Sequence, residues 1–145
     1  MERVPPSNDA RFASALRISV MRLSRRMRQE RPVDGLTASQ LATLASLERH
    51  GPLAAGELAN VERVSAPSMT RIIGALAVAG LVDRRPHPSD GRQILVAISD
   101  NGRSLLARDR RRRDEWLTTR LDELTPEQLE VLEQALPLLD RLASE

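Results

Sequence analysis

The sequence predicts a mainly α-helical fold with one small β-hairpin, on three observations. Apolar residues recur at spacings of three and four, and helix-opening signals stand at Thr37, Ser65 and Thr125. One late segment alternates Ile94, Val96 and Ile98 on one face, just after an Asp90-Gly91 turn.

Taken in order, residues 9–30 set Phe12, Leu16, Val20, Leu23 and Met27 on one stripe among arginines, which reads as an amphipathic helix ended by Pro32 and Gly35. Thr37-Ala38-Ser39-Gln40 has the form of a capping box, so a second helix runs from Ala38 to about Arg49. His50-Gly51-Pro52 breaks it, Leu53 leaves room for a very short strand, and a third helix covers Ala54–Val61. Ser65 caps a fourth helix, Pro67 is tolerated in its first turn, and Gly80 stops it. Two extended runs follow, Leu81–His87 and Arg92–Ile98, around Pro88-Ser89-Asp90-Gly91. Ser99 caps a fifth helix from Asp100 to about Asp122. Thr125-Pro126-Glu127-Gln128 opens a sixth, in which Pro137 should introduce a kink.

The chain of 145 residues is one domain in length, and its 41% hydrophobic and 29% charged residues are globular values. No stretch approaches the ~18 consecutive apolar residues of a membrane span. The first residues carry charges and two prolines where an export signal needs an apolar run, so a cytoplasmic location is expected. With no cysteine, and His50 and His87 far apart, neither a metal nor a cofactor is expected. An enzyme is also disfavoured: there is no Tyr, no Ser-His-acid pattern and no glycine-rich phosphate loop.

All 22 basic residues are arginine. They are unevenly placed: residues 1–31 hold eight Arg against three acids, about +5, and residues 121–145 hold seven acids against Arg141, about −6. Oppositely charged ends attract, so the terminal helices are expected to pack together, within a chain or across a dimer. The sixth helix carries two apolar stripes, one with Leu132, Leu136 and Leu139 and one with Val131, Leu138 and Leu142. That is more than one packing face needs, and a homodimer is expected.

Helix, short helix, second helix and hairpin, in that order, form the layout of a winged helix-turn-helix, whose later helix enters the major groove of DNA. On a helical wheel the fourth helix groups Met69, Ile72, Ile73, Leu76 and Ala79, with Pro67, Thr70, Arg71 and Gly74 opposite. Arg71 suits guanine or phosphate, Ser68 and Thr70 offer hydroxyls, and Gly74 permits close approach of a backbone. The hairpin adds Arg84, Arg85, His87 and Arg92 around Asp90, a ribbon suited to phosphates or the minor groove. Charges on a hairpin also protect an edge strand from aggregation, and an amphipathic surface helix alone would explain the fourth helix.

These motifs resemble the MarR family of transcription regulators. The matching segments are Glu57-Leu58-Ala59, Ser68-Met69-Thr70-Arg71-Ile72, Gly80-Leu81-Val82-Asp83-Arg84, Asp90-Gly91-Arg92 and Ile98-Ser99-Asp100-Asn101-Gly102-Arg103, the last with Ile-Ser for the family's usual Leu-Thr. The resemblance covers nearly the whole chain. It implies a single domain over 1–145, with residues 1–36 and 104–145 as dimerisation helices and 37–103 as the winged DNA-binding lobe. It implies a homodimer on a pseudo-palindromic double-stranded DNA site, in the manner of a repressor, with Ser65, Pro67, Ser68, Thr70, Arg71 and Gly74 at the major groove. Arg92 becomes the minor-groove residue, Asp90 the brace of the wing, and Arg84 the strand cation beside the backbone; Arg85 joins the DNA-facing set through the charge of the hairpin alone. Many members respond to a small anionic or aromatic ligand.

The alternative is a winged helix that binds protein without DNA. In the run Arg110–Arg113, a solvated helix face explains most of the charge. Arg113 lies on the inward stripe with Asp109 one turn earlier, which fits either an ion pair or a ligand-binding arginine that takes an anion's carboxylate.

Overall fold

A computed structural model of the chain describes residues 10–29 and 35–144. Its elements are α1 (Ala10–Gln29), α2 (Ala38–His50), β1 (Leu53–Ala54), α3 (Ala55–Glu62), α4 (Ala66–Val78), β2 (Val82–Pro86), β3 (Ile94–Ile98), α5 (Asp100–Leu121) and α6 (Pro126–Ser144). They fall into two compact units, one within residues 32–111 and the other within 1–31 and 112–145, so α5 contributes to both.

Local signals account for the ends of the helices in the 32–111 unit. The Thr37 N–H donates to Gln40 Oε1 at 2.9 Å and the Gln40 N–H to Thr37 Oγ1 at 3.2 Å, the reciprocal pair of a capping box. Glu57 reaches back to the Ala54 N–H at the start of α3. Ser65 Oγ accepts from the Ser68 N–H at 3.3 Å, with Pro67 in the first turn of α4. That helix closes with the Leu81 N–H bonded to Leu76 O at 2.9 Å, which requires the φ of +72° that Gly80 supplies. At the end of α3 the same job falls to Arg63, the one described non-glycine residue with positive φ (53°), with the Val64 N–H on Ala59 O.

The two extended runs pair as expected, Val82 opposite Ile98 through Pro86 opposite Ile94, but β3 starts at Ile94 rather than Arg92. Arg92 and Gln93 are taken up by the turn, whose hydrogen bonds run back to Asp90. Leu53 and Ala54 add a third strand on the other side of β3, giving the order β1-β3-β2.

Beneath the sheet and helices lies one apolar core. Leu41, Leu44 and Leu47 of α2 meet Leu58 of α3, Met69, Ile73 and Leu76 of α4, Val82, Val96 and Ile98 of the sheet, and Leu105 and Leu106 of α5. Leu44, Leu47, Leu58, Met69 and Leu76 are under 2% exposed. Each fully buried side chain of this size contributes about 1.5–3 kcal/mol, so this cluster fixes how α4 is held. Ile72 is only half buried, and Ala79 is exposed because the helix ends before it. Several polar groups beside the core are paired: Thr43 Oγ1 donates to Ser39 O, Ser46 Oγ to Glu62, and Arg110 pairs with Glu48.

Ser99 joins the wing to α5. Its hydroxyl donates to Gly80 O at 2.7 Å and accepts from the Gly102 N–H at 3.1 Å, while its own N–H bonds Leu81 O at 3.0 Å. One residue thus caps α5 and ties it to the end of α4.

In the other unit, no described residue of α1 or α6 is buried in the single chain. Phe12 is 70% exposed and is not a core residue of the monomer. Trp116 is half buried, with the guanidinium carbons of Arg26 and Arg120 at 5.9 and 5.8 Å from its ring centre. The Thr125–Gln128 capping box opens α6, and hydrogen bonds from the Glu127 backbone and from Thr125 lower the Glu127 carboxyl below the usual range. The helix continues through Pro137 to Ser144. No helix among the described residues is long and apolar enough to cross a membrane.

Candidate nucleic-acid interface

The outer face of α4 follows from what its inner face buries. Because Met69, Ile73 and Leu76 point into the core, Pro67, Thr70 and Arg71 are exposed together, with Gly74 half exposed one turn on. Ser65 and Ser68 flank the positive end of the helix dipole, their hydroxyls 2.8 Å apart. Thr70 Oγ1 donates its only proton to Ala66 O at 3.0 Å, so outward it presents an acceptor oxygen and a methyl group. A Cβ on Gly74 would meet nothing within 4 Å, so no packing inside this chain requires glycine there.

The hairpin supplies a second set of cations. Arg84 and Arg85 are exposed on the edge strand β2 and, being adjacent, project from opposite faces of the ribbon. Arg92 is exposed at the tip, where its N–H donates to Asp90 Oδ1 at 3.1 Å; the Gln93 N–H bonds Asp90 O at 3.1 Å. Asp90 therefore holds the turn that carries Arg92. Across the loop the His87 N–H bonds Gln93 O at 3.0 Å, and His87 Nδ1 accepts the N–H groups of Ser89 and Asp90 at 3.1 and 3.0 Å.

An exposed helix with a polar, cationic face, carried beside an arginine-bearing hairpin in one compact unit, is the architecture of winged-helix DNA readers. The family model described as MarR family matches residues 36–94, the span from the start of α2 through the wing. An HTH-type transcriptional regulator of Mycobacterium bovis, itself uncharacterized, is 46% identical over 95% of this chain and 96% of its own length. The chain belongs to the MarR family. The HTH-type transcriptional repressor NicR of Pseudomonas putida is 34% identical over 49% of this chain and 45% of NicR. A solved structure from Pseudomonas aeruginosa PA01 superposes with a TM-score of 0.86 at 33% identity, covering 97% of this chain and 99% of that one.

As a MarR-family protein the chain is a DNA-binding transcriptional regulator and not an enzyme. Its expected contact residues lie in the 32–111 unit with exposed or half-exposed side chains. Arg113 stands apart from them, half buried on α5 in the other unit, and Asp109 one turn earlier is only 3% exposed. Two features of this candidate surface are not legible in the sequence. Val78 extends the outer stripe of α4 and is 92% exposed, which the wheel alone did not single out. The acceptor role of His87 depends on a seven-residue loop folding back on itself, and no periodic pattern announces it.

Proposed function

We propose that this chain acts as a homodimeric repressor that reads a pseudo-palindromic site in double-stranded DNA and is released by a small anionic or aromatic ligand. The observation that carries the reading is the outward stripe Pro67, Thr70, Arg71 and Gly74 on α4, rigidly backed by the core and accompanied by Arg92 on the wing. Ser65, Ser68 and Thr70 position the helix on phosphates and base edges, Arg71 reads a base, and Arg84 or Arg85 flanks the backbone. Asp90 shapes the turn from which Arg92 enters the minor groove.

The dimer is supported by the exposed apolar residues of α1 and α6, among them Phe12 at 70%, Val131 at 65% and Leu142 at 64%. Faces of that kind need a cover, and a second copy provides one. Repression is supported by the name of the Pseudomonas putida relative. Arg113, a half-buried cation on α5, is the candidate partner for a ligand carboxylate.

Binding to a duplex selected from a randomised pool tests the reading, with light scattering as a parallel readout. A dimer that sets Arg71, Arg92 and Arg84 or Arg85 of each protomer against the polyanion should lose affinity by roughly 10- to 10³-fold between ~50 and ~200 mM salt. A monomer at micromolar concentration, or binding that ignores salt, defeats it.

Gly74→Ala separates folding from recognition. Alanine should stabilise α4 by up to about 1 kcal/mol, because the site is open and glycine is the poorer helix former. A methyl group on the outer face should at the same time weaken DNA binding. Thermal melting and anisotropy titration are then expected to move in opposite senses; unchanged affinity would remove Gly74 from the interface.

A further inference from the structure

We propose that His87 is a positioning residue for the wing: its unprotonated Nδ1 holds the tip that presents Arg92, so the DNA contact proposed for the wing weakens on acidification. The inference rests on the reading that the wing touches DNA. Nδ1 lies 3.1 Å from the Ser89 N–H and 3.0 Å from the Asp90 N–H, with Ser89 Oγ at 3.3 Å. Backbone amides only donate, so the imidazole nitrogen that receives two of them must carry a lone pair and no proton. Asp90, whose amide is held in this way, in turn accepts the Arg92 N–H through Oδ1 and the Gln93 N–H through its carbonyl. The imidazole is thus the first member of a chain that ends at the backbone of Arg92.

Adding a proton at Nδ1 turns an acceptor into a donor that faces two donors. The ordered tip holds one proton fewer than the opened tip, so by linkage acid favours opening. Histidine is the side chain whose ordinary titration, at about pH 6.5, falls in the range where this matters. The charged groups on the elements around it are Asp83, Arg84 and Arg85 on β2, with Asp90 and Arg92 in the loop, and β3 has none. The sign of the effect is diagnostic. A cation gained at a DNA-facing surface by itself strengthens binding, whereas loss of the tip weakens it.

The test compares wild type, His87→Asn, His87→Ala and Arg92→Ala on one duplex selected by the wild-type protein from a randomised pool, at fixed salt and at pH 7.5 and 5.5. Asn places Oδ1 near the position of Nδ1, accepts amides two and three residues on, and does not titrate. Wild type should lose on the order of fivefold in affinity at the lower pH, the worth of a hydrogen bond or two. His87→Asn should keep the pH 7.5 affinity and lose the acid response, and His87→Ala should be weakened by a similar factor at both values. The other histidine, His50, is present in every variant, so a response due to it survives in His87→Asn and overturns the proposal. Wild-type affinity in His87→Ala alongside weakened Arg92→Ala overturns the role of His87 alone. Wild-type affinity in Arg92→Ala overturns the wing reading and this inference with it.

Discussion

Replacing Arg71 or Arg92 by alanine is expected to cripple DNA binding while leaving the fold intact, and the two losses should differ in kind. Both side chains are exposed, and neither belongs to the core that holds α4 and the sheet, so melting temperatures should stay near wild type. Arg71 projects from the first half of α4, and in the proposed complex its guanidinium would take a guanine edge with two hydrogen bonds. Its loss should cost about 1–3 kcal/mol in each half-site and relax the preference at one base position. Arg92 sits on the wing tip, where charge and groove width matter more than base identity. Its loss should weaken selected and unrelated duplexes alike and reduce the salt slope by about one for each phosphate contact removed. Anisotropy titrations on a selected duplex, on a single-position variant of it and on an unrelated duplex, each at several salt concentrations, separate the two. If both variants bind as wild type does, the proposed surface is wrong.

The sequence is most readable where a local rule acts alone. Thr37 with Gln40, Ser65 with Pro67, Ser99, and Thr125 with Gln128 each satisfy free amides at a helix start, and each helix begins where they place it. Gly80 is equally legible, because the turn it closes needs a positive φ. Arg63 shows the limit of this reasoning. The same turn is made there by a residue whose type gives no warning, since the contacts of α3 and α4 with the core override its backbone preference. The short strand at Leu53 is legible as the break between two helices, but its pairing is not, because two residues carry no period and only the fold brings Val96 beside Leu53. For the candidate site, the helical wheel separates the outer from the inner face of α4 because burial enforces that separation. It does not reveal that Thr70 spends its proton on Ala66, because a helical threonine has more than one rotamer open to it, whereas the divergence of Arg84 and Arg85 follows from their adjacency on a strand.

Gly102→Ala should be the most damaging single methyl group in the winged-helix unit. A Cβ at this position would collide with Leu81 O and stand 2.7 Å from Ile98 Cγ1 and 3.3 Å from the Leu81 carbonyl carbon. Two opposing effects meet here. Gly102 lies in the first turns of α5 without a positive φ, so helix propensity favours alanine by about 1 kcal/mol. Overpacking of a close-packed site costs about 1–3 kcal/mol and sometimes more, and the high end applies because the nearest atom is backbone. Leu81 O cannot simply move aside: it accepts the Ser99 N–H at 3.0 Å, while Ser99 Oγ bonds both Gly80 O and the Gly102 N–H. Relief of the clash therefore means separating α5 from the start of β2, which also disturbs the packing of Leu105 and Leu106 in the core. A net loss of roughly 2 kcal/mol is expected, a fall in melting temperature of about 5–10 °C for a chain of this size. The comparison must be made at equal protein concentration, because the stability of the proposed dimer would depend on it. The wing grows from the same junction, so DNA affinity should fall with stability, whereas Gly74→Ala loses affinity while gaining stability. A Gly102→Ala protein that melts at or above the wild-type temperature would mean that α5 and Leu81 are not packed as closely as this geometry requires.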